Sequence, residues 1–320
     1  MTPRLTGIGR RRRGLISWSV LRNSMLPVGL VAGGFAVSAA MGSMRVEPTG
    51  VVASDANALA AAQTVDLLLV GGTVVDGTGA PGRRADVAIA GNRVVAVGEN
   101  LPRGTARRVL DVSGQVVAPG FIDLHAHLEP LLQLSLMESA LRQGVTLALG
   151  GPDGGSPLPL GPYLDSVRAV KPGINVAYLV GHNDVRRAVM NMDARAPSAA
   201  ELVRMKQLVA EAMGQGAFGL STGLLYLPGT YSNVEEVIAL AQVASDSGGI
   251  YTSHLRKEGI GLLDGVGEAL EIGRRARIPV VLTHHKAVGQ QMWGRSTVTL
   301  AMVDSARRAG TDVMIDQYPY

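Results

Sequence analysis

Two histidines one residue apart, His125 and His127, end the apolar run of residues 120–124. Side chains alternate faces along a strand, so both imidazoles are predicted to project to the same side. Imidazole nitrogens are common ligands of zinc and other transition metals. Two of the four other histidines, His254 and His284, also end β-branched runs. Three strand ends that carry histidines indicate a metal site rather than ordinary core packing.

The segments that must position these histidines alternate between strands and helices. Near-continuous apolar strands separated by helical patterns indicate a parallel sheet that is covered on both faces. Because polar residues cluster at the carboxyl ends of the strands, the pattern favours a TIM-like (β/α)8 barrel over a doubly wound sheet. Seven strands are predicted, at residues 121–127, 145–151, 175–181, 217–223, 249–255, 279–285 and 312–318. A closed barrel needs an eighth strand, so the barrel of residues 119–320 is expected to be truncated at its C-terminus.

A small β module is predicted before the barrel, at residues 64–118. Short apolar runs separated by turn-forming pairs such as Gly91-Asn92 are typical of hairpins. We expect these strands to form a small β-sandwich. They are residues 66–72, a hairpin of 85–90 and 93–98, and a second hairpin of 108–112 and 115–118.

The first 63 residues are predicted to be a signal peptide and a linker. Arg10 to Arg13 form a basic segment, and residues 26–40 form an apolar stretch that ends in small residues, as in secretory signals. The stretch is too short for a stable membrane span, and paired arginines are typical of the twin-arginine route. We therefore expect an exported protein, periplasmic or secreted, whose mature form begins between Ala40 and Gln63.

The composition excludes some classes of function. The formal net charge is +4 and aromatic residues make up 4%, so the basic, aromatic-rich face of a nucleic-acid-binding protein is not expected. The chain has no cysteine, which excludes disulfides and thiolate ligands. The sequence gives no indication of the oligomeric state.

Several segments between residues 65 and 320 are more specific than the histidine pair. They are residues 69–79, 118–127, 219–229, 252–256, 283–286, 293–295 and 316–320. Together they resemble the amidohydrolase superfamily and, within it, the D-aminoacylase (N-acyl-D-amino-acid deacylase) family. The histidine pair alone is typical of the superfamily, whereas STGLLYLPG, SHLR and THHK are specific to the family.

The resemblance implies a zinc-dependent hydrolase with one or two zinc ions. The implied ligands are His125, His127, His254 and His284. The family usually supplies a cysteine at the end of the second strand, where this chain has Asp153 in a Pro-Asp-Gly turn. A carboxylate can ligate or bridge zinc as a harder donor, and a solvent-facing turn residue is the alternative.

The resemblance also implies hydrolysis of the amide of N-acyl-D-amino acids to a carboxylate and a D-amino acid. Lys286 follows His284 by two residues, so we expect it to bind the carboxylate of this small-molecule substrate. Tyr318 and Arg256 are expected to shape the pocket. The general base is expected to be an aspartate on the eighth strand, beyond Tyr320. No catalytic residue is therefore expected within the 320-residue chain, which is predicted to be inactive alone.

Two other functions remain open at this point. A cyclic-amide hydrolase, similar to hydantoinase or dihydroorotase, would share His125 and His127. Those enzymes usually carry a carbamylated lysine on the fourth strand, and residues 217–223 contain no lysine. The second alternative is a non-catalytic, truncated homologue that binds a ligand without converting it.

Overall fold

A computed structural model describes residues 64–318, which divide into two compact units. The first unit ends at Gly120 and the second begins at Phe121. The predicted signal peptide and linker, residues 1–63, lie outside the described residues. Within residues 64–318, no helix is both long and apolar enough to cross a membrane.

The first unit is a five-stranded mixed sheet. Its antiparallel part follows the first predicted hairpin, because β1 pairs with β2 and β2 pairs with β3. A short 3-10 turn, Arg103–Thr105, precedes the last two strands. The strands are β1 (Leu67–Val74), β2 (Arg83–Ala90), β3 (Arg93–Gly98), β4 (Val109–Asp111) and β5 (Val116–Val117).

The second predicted hairpin is wrong, because β4 and β5 do not pair with each other. Both run parallel to β1, with β4 beside residues 68–70 and β5 beside residues 73–74. The turn between them is closed by a hydrogen bond from Gln115 N to Val112 O at 3.0 Å. This turn therefore shifts the chain along one edge of β1 and does not reverse its direction.

Apolar side chains of the first unit are buried on both faces of the sheet. Neighbouring residues of a strand point to opposite faces, and the neighbours Leu68 and Leu69 accordingly belong to two separate buried clusters. Val87 and Ala88 divide between the same two clusters in the adjacent strand. Each face therefore contributes its own part of the core.

The second unit alternates parallel strands with helices. Its strands are β6 (Phe121–Asp123), β7 (Val145–Gly150), β8 (Asn175–Tyr178), β9 (Val180–Gly181), β10 (Gly219–Gly223), β11 (Ile250–His254), β12 (Val280–Leu282) and β13 (Val313–Ile315). Its helices are α1 (Glu138–Arg142), α2 (Leu160–Val170), α3 (His182–Met190), α4 (Ala199–Gly214), α5 (Val234–Asp246), α6 (Leu262–Ala276) and α7 (Ser296–Arg308). Three 3-10 turns complete it, at Glu129–Leu132, Gly229–Tyr231 and Gln290–Met292.

The strands of the second unit follow one another in space in the same order as in the chain. β6, β7 and β8 form one parallel sheet and β9 to β13 form another, and only Leu179 separates β8 from β9. Each of the seven predicted strand segments contains a strand, so the expected α/β architecture with parallel sheets is confirmed.

The strands are shorter than predicted at their carboxyl ends. β6 ends at Asp123 and β12 ends at Leu282, so His125, His127 and His284 lie in the loops that follow. Strand alternation therefore does not explain their orientation, which depends on loop contacts.

The helices are fixed at their starts by side-chain caps and along their lengths by apolar faces. Ser198 and Glu201 form a capping box at the start of α4, and the side chain of Asn233 caps α5. Leu240 of α5 and Val266 of α6 are fully buried in the core beneath the sheet. Burying one such side chain stabilises the fold by about 1.5–3 kcal/mol.

Candidate metal centre

The loop after β6 places the first two histidines. Asp123 Oδ1 accepts a hydrogen bond from His125 N at 3.0 Å, and Ala126 N donates to the main chain of β7 at 3.0 Å. The side chains of Ala126 and Leu128 are buried in the core. Because these residues alternate with His125 and His127, both imidazoles are left on the side away from that core.

The turn after β7 places Asp153, whose φ is +55°. Ser221 of β10 is fully buried, and its Oγ donates to Gly151 O at 2.6 Å and accepts from Gly154 N at 3.1 Å. Asn183 N donates to Gly154 O at 2.9 Å. A Cβ at Gly154 would lie 2.4 Å from Asn183 Oδ1, so only glycine fits there. The turn is thus closely packed on both sides of Asp153.

Asp153 lies between two pairs of imidazoles. Its Oδ2 lies 3.4 Å from His125 Nε2 and 3.6 Å from His127 Nε2. Its Oδ1 lies 3.7 Å from both His254 Nδ1 and His284 Nε2. Two ligand atoms of a tetrahedral zinc ion, with bonds of about 2.0–2.1 Å, lie about 3.3 Å apart. The spacings around Asp153 are close to those of atoms that share a cation.

The second nitrogen of each imidazole faces a carboxylate other than that of Asp153. Carboxylates in this position orient metal-binding histidines and make the ligating nitrogen more basic. The pairs are His125 Nδ1 with Asp316 Oδ2 at 3.9 Å, His127 Nδ1 with Glu129 Oε1 at 3.5 Å, His254 Nε2 with Glu258 Oε2 at 3.7 Å, and His284 Nδ1 with Glu258 Oε1 at 3.1 Å. The nitrogens that face Asp153 are therefore the candidate ligand atoms, and two of them, His254 Nδ1 and His284 Nε2, lie 2.8 Å apart.

The cluster contains more negative than positive charge. The side chains of Asp153, Glu258 and Asp316 are 13%, 10% and 14% exposed, while one ammonium group, that of Lys286, lies beside Glu258. Burial would lower the pKa of His284, but the carboxylates of Asp153 and Glu258 outweigh burial and raise the pKa to about 9. An excess of carboxylates that holds a proton on an imidazole also attracts a divalent cation.

The carboxylates themselves respond to this environment in opposite ways. Burial would raise the pKa of Asp153, but the neighbouring imidazoles outweigh it and hold the pKa well below its usual range. Burial raises the pKa of Asp316, and its hydrogen bond from His284 N only partly offsets the effect. Asp153 is thus the most strongly favoured anion of the cluster.

Several buried polar atoms of the cluster have no hydrogen-bond partner, which tests whether a metal fits. One of them, Asp153 Oδ1, faces the imidazole nitrogens that are open to a metal, whereas His125 Nδ1, His254 Nε2 and Asp316 Oδ2 lie on the far side of the imidazoles. Leaving a buried polar atom unpaired costs about 1–3 kcal/mol, so such atoms usually have a partner. Nitrogen and oxygen donors in this number are the set that zinc accepts. The residues present therefore fit a bound zinc ion.

The predicted substrate-binding residues lie in different settings. Lys286 belongs to the cluster, because its Nζ lies 2.9 Å from His284 Nδ1. Arg256 binds Glu268 of α6 through Nε and Nη2 at 2.8–3.1 Å and donates from Nη1 to Thr230 O at 3.0 Å. Its guanidinium thus joins two loops to α6. Tyr318 is 36% exposed and follows β13 by three residues.

Three residues of the cluster were not singled out by the sequence analysis. They are Glu129, Glu258 and Asp316. Glu129 and Glu258 follow the predicted ligands His127 and His254 by two and four residues, which was a usable signal. Asp316 lies within the last predicted strand, residues 312–318, and in a family-specific segment, but nothing in its spacing relates it to a histidine.

Two further side chains mark the limits of the cluster. The ring of Tyr226 lies 4.5 Å from that of His254 between centroids, and burial, with Asp153 and Glu258 nearby, raises the pKa of its phenol. His285 points the other way, because its Nε2 lies 2.7 Å from Thr299 Oγ1 of α7. Of the two adjacent histidines that follow β12, His284 therefore belongs to the cluster and His285 to the core.

No protein-family model matches the chain, but individual relatives do. D-aminoacylase from Alcaligenes xylosoxydans xylosoxydans is 41% identical over 282 residues, which are 81% of this chain and 58% of the relative. N-acyl-D-glutamate deacylase from Bordetella bronchiseptica, solved with zinc and a phosphonate inhibitor, is 39% identical with a TM-score of 0.74. That match covers 81% of this chain and 59% of the deacylase. The chain is a homologue of D-aminoacylase and N-acyl-D-glutamate deacylase over about four fifths of its own length.

Other solved structures agree with this homology. A structure of D-aminoacylase, which has a binuclear metal centre, is 39% identical with a TM-score of 0.75 over 80% of this chain and 59% of that chain. L-hydantoinase from Arthrobacter aurescens is 16% identical with a TM-score of 0.55, so it shares the fold alone. The resemblance inferred from the sequence is confirmed. The chain spans a little under three fifths of the family members that it matches.

Proposed function

We propose that this protein is a metal-dependent amidohydrolase that hydrolyses N-acyl-D-amino acids to a carboxylate and a D-amino acid. The observation that carries the proposal is the position of Asp153 between two pairs of imidazoles, 3.4–3.7 Å from each. Homology to D-aminoacylase and N-acyl-D-glutamate deacylase supports the substrate class, because these relatives are deacylases of D-amino-acid derivatives.

We propose zinc as the metal, as one or two ions. The proposed ligands are His125, His127, His254, His284 and Asp153, with one oxygen of Asp153 facing each pair of imidazoles. The zinc in the Bordetella bronchiseptica deacylase and the binuclear centre of D-aminoacylase support this assignment. A bound zinc ion polarises an amide carbonyl and makes a water molecule more acidic.

The chain's own residues would orient both the ligands and the substrate. The carboxylates of Glu129, Glu258 and Asp316 face the distal nitrogens of the imidazoles at 3.1–3.9 Å. Lys286, 27% exposed beside His284, would bind the substrate carboxylate through Nζ. Tyr318 and Arg256 remain proposed wall residues of the pocket, and Arg256 acts there through its salt bridge to Glu268.

We propose that the parallel strands of residues 119–320 belong to a (β/α)8 barrel and that residues 64–118 belong to a β-sandwich. The spatial order of β6 to β13 supports the barrel, since each strand neighbours the next one in the chain. The two buried faces of the first sheet support the sandwich. We also propose export through residues 1–63, which is supported by the basic and apolar segments of that stretch.

A cyclic-amide hydrolase is less well supported. β10, which corresponds to the fourth predicted strand, has no lysine. L-hydantoinase is also far less similar to this chain than the deacylases are. The substrate assignment therefore rests on the D-aminoacylase relatives.

The deciding experiment uses zinc-loaded protein expressed from its complete gene. Paired N-acetyl-D- and N-acetyl-L-amino acids are assayed beside hydantoin and dihydroorotate, with His254→Ala as the control for contaminating activity. We expect hydrolysis of the D series only. Turnover of cyclic substrates alone would overturn the deacylase assignment, and a preference for the L series would remove its stereochemical part. Zinc binding without any turnover would establish a non-catalytic homologue.

A further inference from the structure

The side-chain direction of Asp153 depends on an unusual local backbone. Asp153 has φ +55°, in the left-handed region, and Gly154 follows with φ +80°. Aspartate tolerates this region better than most residues, but the conformation still costs free energy, which contacts around the turn must offset. A hydrogen bond from Gly155 N to Pro152 O at 3.0 Å closes the turn internally. That bond shapes the turn but does not fix it relative to the sheet.

The hydroxyl of Ser221 supplies the connection to the sheet. Ser221 lies in β10, paired with Thr252 of β11 and Gly181 of β9, and its side chain is 0% exposed. Its Oγ donates to Gly151 O at 2.6 Å and accepts from Gly154 N at 3.1 Å. One hydroxyl therefore binds the main chain on both sides of Asp153.

The end of β10 also leaves no room for the turn to shift toward it. A Cβ added at Gly223 would lie 2.1 Å from Asp153 O, so the strand and the turn are in close main-chain contact. Asn183 N holds Gly154 O at 2.9 Å from the other side. The turn that Ser221 contacts is therefore held in one position by its neighbours.

We infer that Ser221 is a positioning residue for Asp153. Because the Ser221 hydroxyl holds the turn, one carboxylate oxygen of Asp153 faces each of the two imidazole pairs. The inference rests on the proposed metal site and adds to it a residue that contacts no ligand nitrogen. It assigns a role to Ser221, the first residue of the STGLLYLPG segment.

The neighbouring residue offers a matched control. Thr222 is also fully buried in β10, but its Oγ1 lies 2.8 Å from Tyr251 Oη and 3.2 Å from Ser253 Oγ, away from the turn. Ser221→Ala and Thr222→Val each remove one buried hydroxyl from the same strand. They therefore impose a similar cost on the fold and differ in their contact with the Asp153 turn.

The test measures zinc affinity of the purified chain by competition with a chromophoric chelator, and the absorption spectrum of bound Co²⁺. We expect Ser221→Ala to weaken zinc binding about 10–100-fold, as is typical when a residue supporting a ligand is lost. The Co²⁺ spectrum at saturation should also change, because the Asp153 carboxylate moves. Thr222→Val should leave both measurements at the wild-type values.

A double-mutant cycle with Asp153→Asn separates positioning from general destabilisation. Ser221→Ala should add no further loss of zinc affinity once the carboxylate is gone. An additive loss, or an unchanged affinity with a lower melting temperature alone, would overturn the inference. If Ser221→Ala does not fold, Ser221→Cys replaces it, because a thiol fills the space and donates only weakly. A wild-type chain that binds no metal would instead overturn the proposed function.

Discussion

The ammonium of Lys286 is salt-bridged to the carboxylate of Glu258, with 2.7 Å between Nζ and Oε1. The same Oε1 lies 3.1 Å from His284 Nδ1. Burial would raise the pKa of Glu258, but His284 and Lys286 outweigh it and lower the pKa. Glu258 is therefore charged at neutral pH and links the proposed substrate-binding lysine to a proposed metal ligand.

Lys286→Met should impair the binding of acidic substrates selectively. If Nζ binds the substrate carboxylate, KM for N-acyl-D-amino acids should rise far more than KM for the corresponding uncharged amides, with a smaller change in kcat. Steady-state kinetics on both substrate types check this. Lys257→Met is the control, because Lys257 is 51% exposed and pairs with Asp264. Equal increases for charged and uncharged substrates would show that Lys286 does not bind the carboxylate.

Glu258→Gln should weaken metal binding without removing a ligand. The substitution keeps the size of the side chain but removes the negative charge facing His254 and His284, so a loss of about 10–100-fold in zinc affinity is expected. Saturating zinc should restore the wild-type number of ions per chain. A permanently lower number would mean that Glu258 is itself a ligand. Glu235→Gln, at an exposed salt bridge with Arg275, is the control.

The adjacent histidines His284 and His285 should behave differently when truncated. His284→Ala should lower the zinc content measured by elemental analysis, because it removes a proposed ligand nitrogen. His285→Ala should keep the zinc content and cost about 0.5–1.5 kcal/mol of stability, because it removes one buried hydrogen bond while Thr299 Oγ1 keeps its bond to Ser296 O. Loss of zinc in both variants, or in neither, would contradict the assignment.

The buried carboxylate of Glu236 should make the stability of the fold sensitive to acid. Its carboxylate lies 2.8 Å from His182 Nε2 and 2.5 Å from Arg186 Nη1. Burial would raise the pKa of Glu236, but these two partners outweigh it and lower the pKa from its ordinary value of 4.5. Because the folded pKa is the lower one, the contribution to stability is complete above 4.5 and is lost as the pH falls through the folded value.

Glu236→Gln tests this dependence. The substitution leaves Arg186 buried without an opposite charge, which should destabilise the fold by about 3–5 kcal/mol at neutral pH. Urea unfolding measured from neutral pH down to about pH 3 should show a smaller fall in stability for the variant than for the wild type. Parallel curves would assign the acid sensitivity to other carboxylates.

The leader prediction concerns the native host. The mature protein should begin between Ala40 and Gln63 and should be recovered outside the cytoplasm, because residues 10–40 have the basic and apolar segments of an export signal. N-terminal sequencing of the native protein measures this. A cytoplasmic protein that retains Thr2 would exclude export.

The repeating strands of the second unit were predictable because each one is a short apolar run with a helical pattern after it. Local periodicity was sufficient for β7 or β11, whose neighbours in space are also their neighbours in the chain. The second hairpin of the first unit was predicted wrongly for the opposite reason. A turn such as that between Val112 and Gln115 has the same composition whether the chain reverses or continues, and the pairing with β1 decides between the two.

The site was predictable as far as its histidines and not beyond. His125, His127, His254 and His284 end recognisable strand segments, so a parallel sheet brings them to the same edge, while loop contacts orient His125, His127 and His284. Asp153 was ambiguous, because its role depends on a backbone conformation and a hydroxyl from β10 that is 68 positions away in the chain (221 − 153). Contacts over such separations leave no local pattern in a single sequence.

The cluster around Asp153 has a chemical consequence that follows from its donor atoms. The chain has no cysteine, so peroxide, nitrosating agents and alkylating reagents find no thiolate to attack there. A cysteine introduced at an exposed position, such as Trp293 at 72% exposure, would therefore be the sole thiol of the molecule. It would accept a fluorophore or spin label at one known point, from which the distance to a bound paramagnetic ion can be measured.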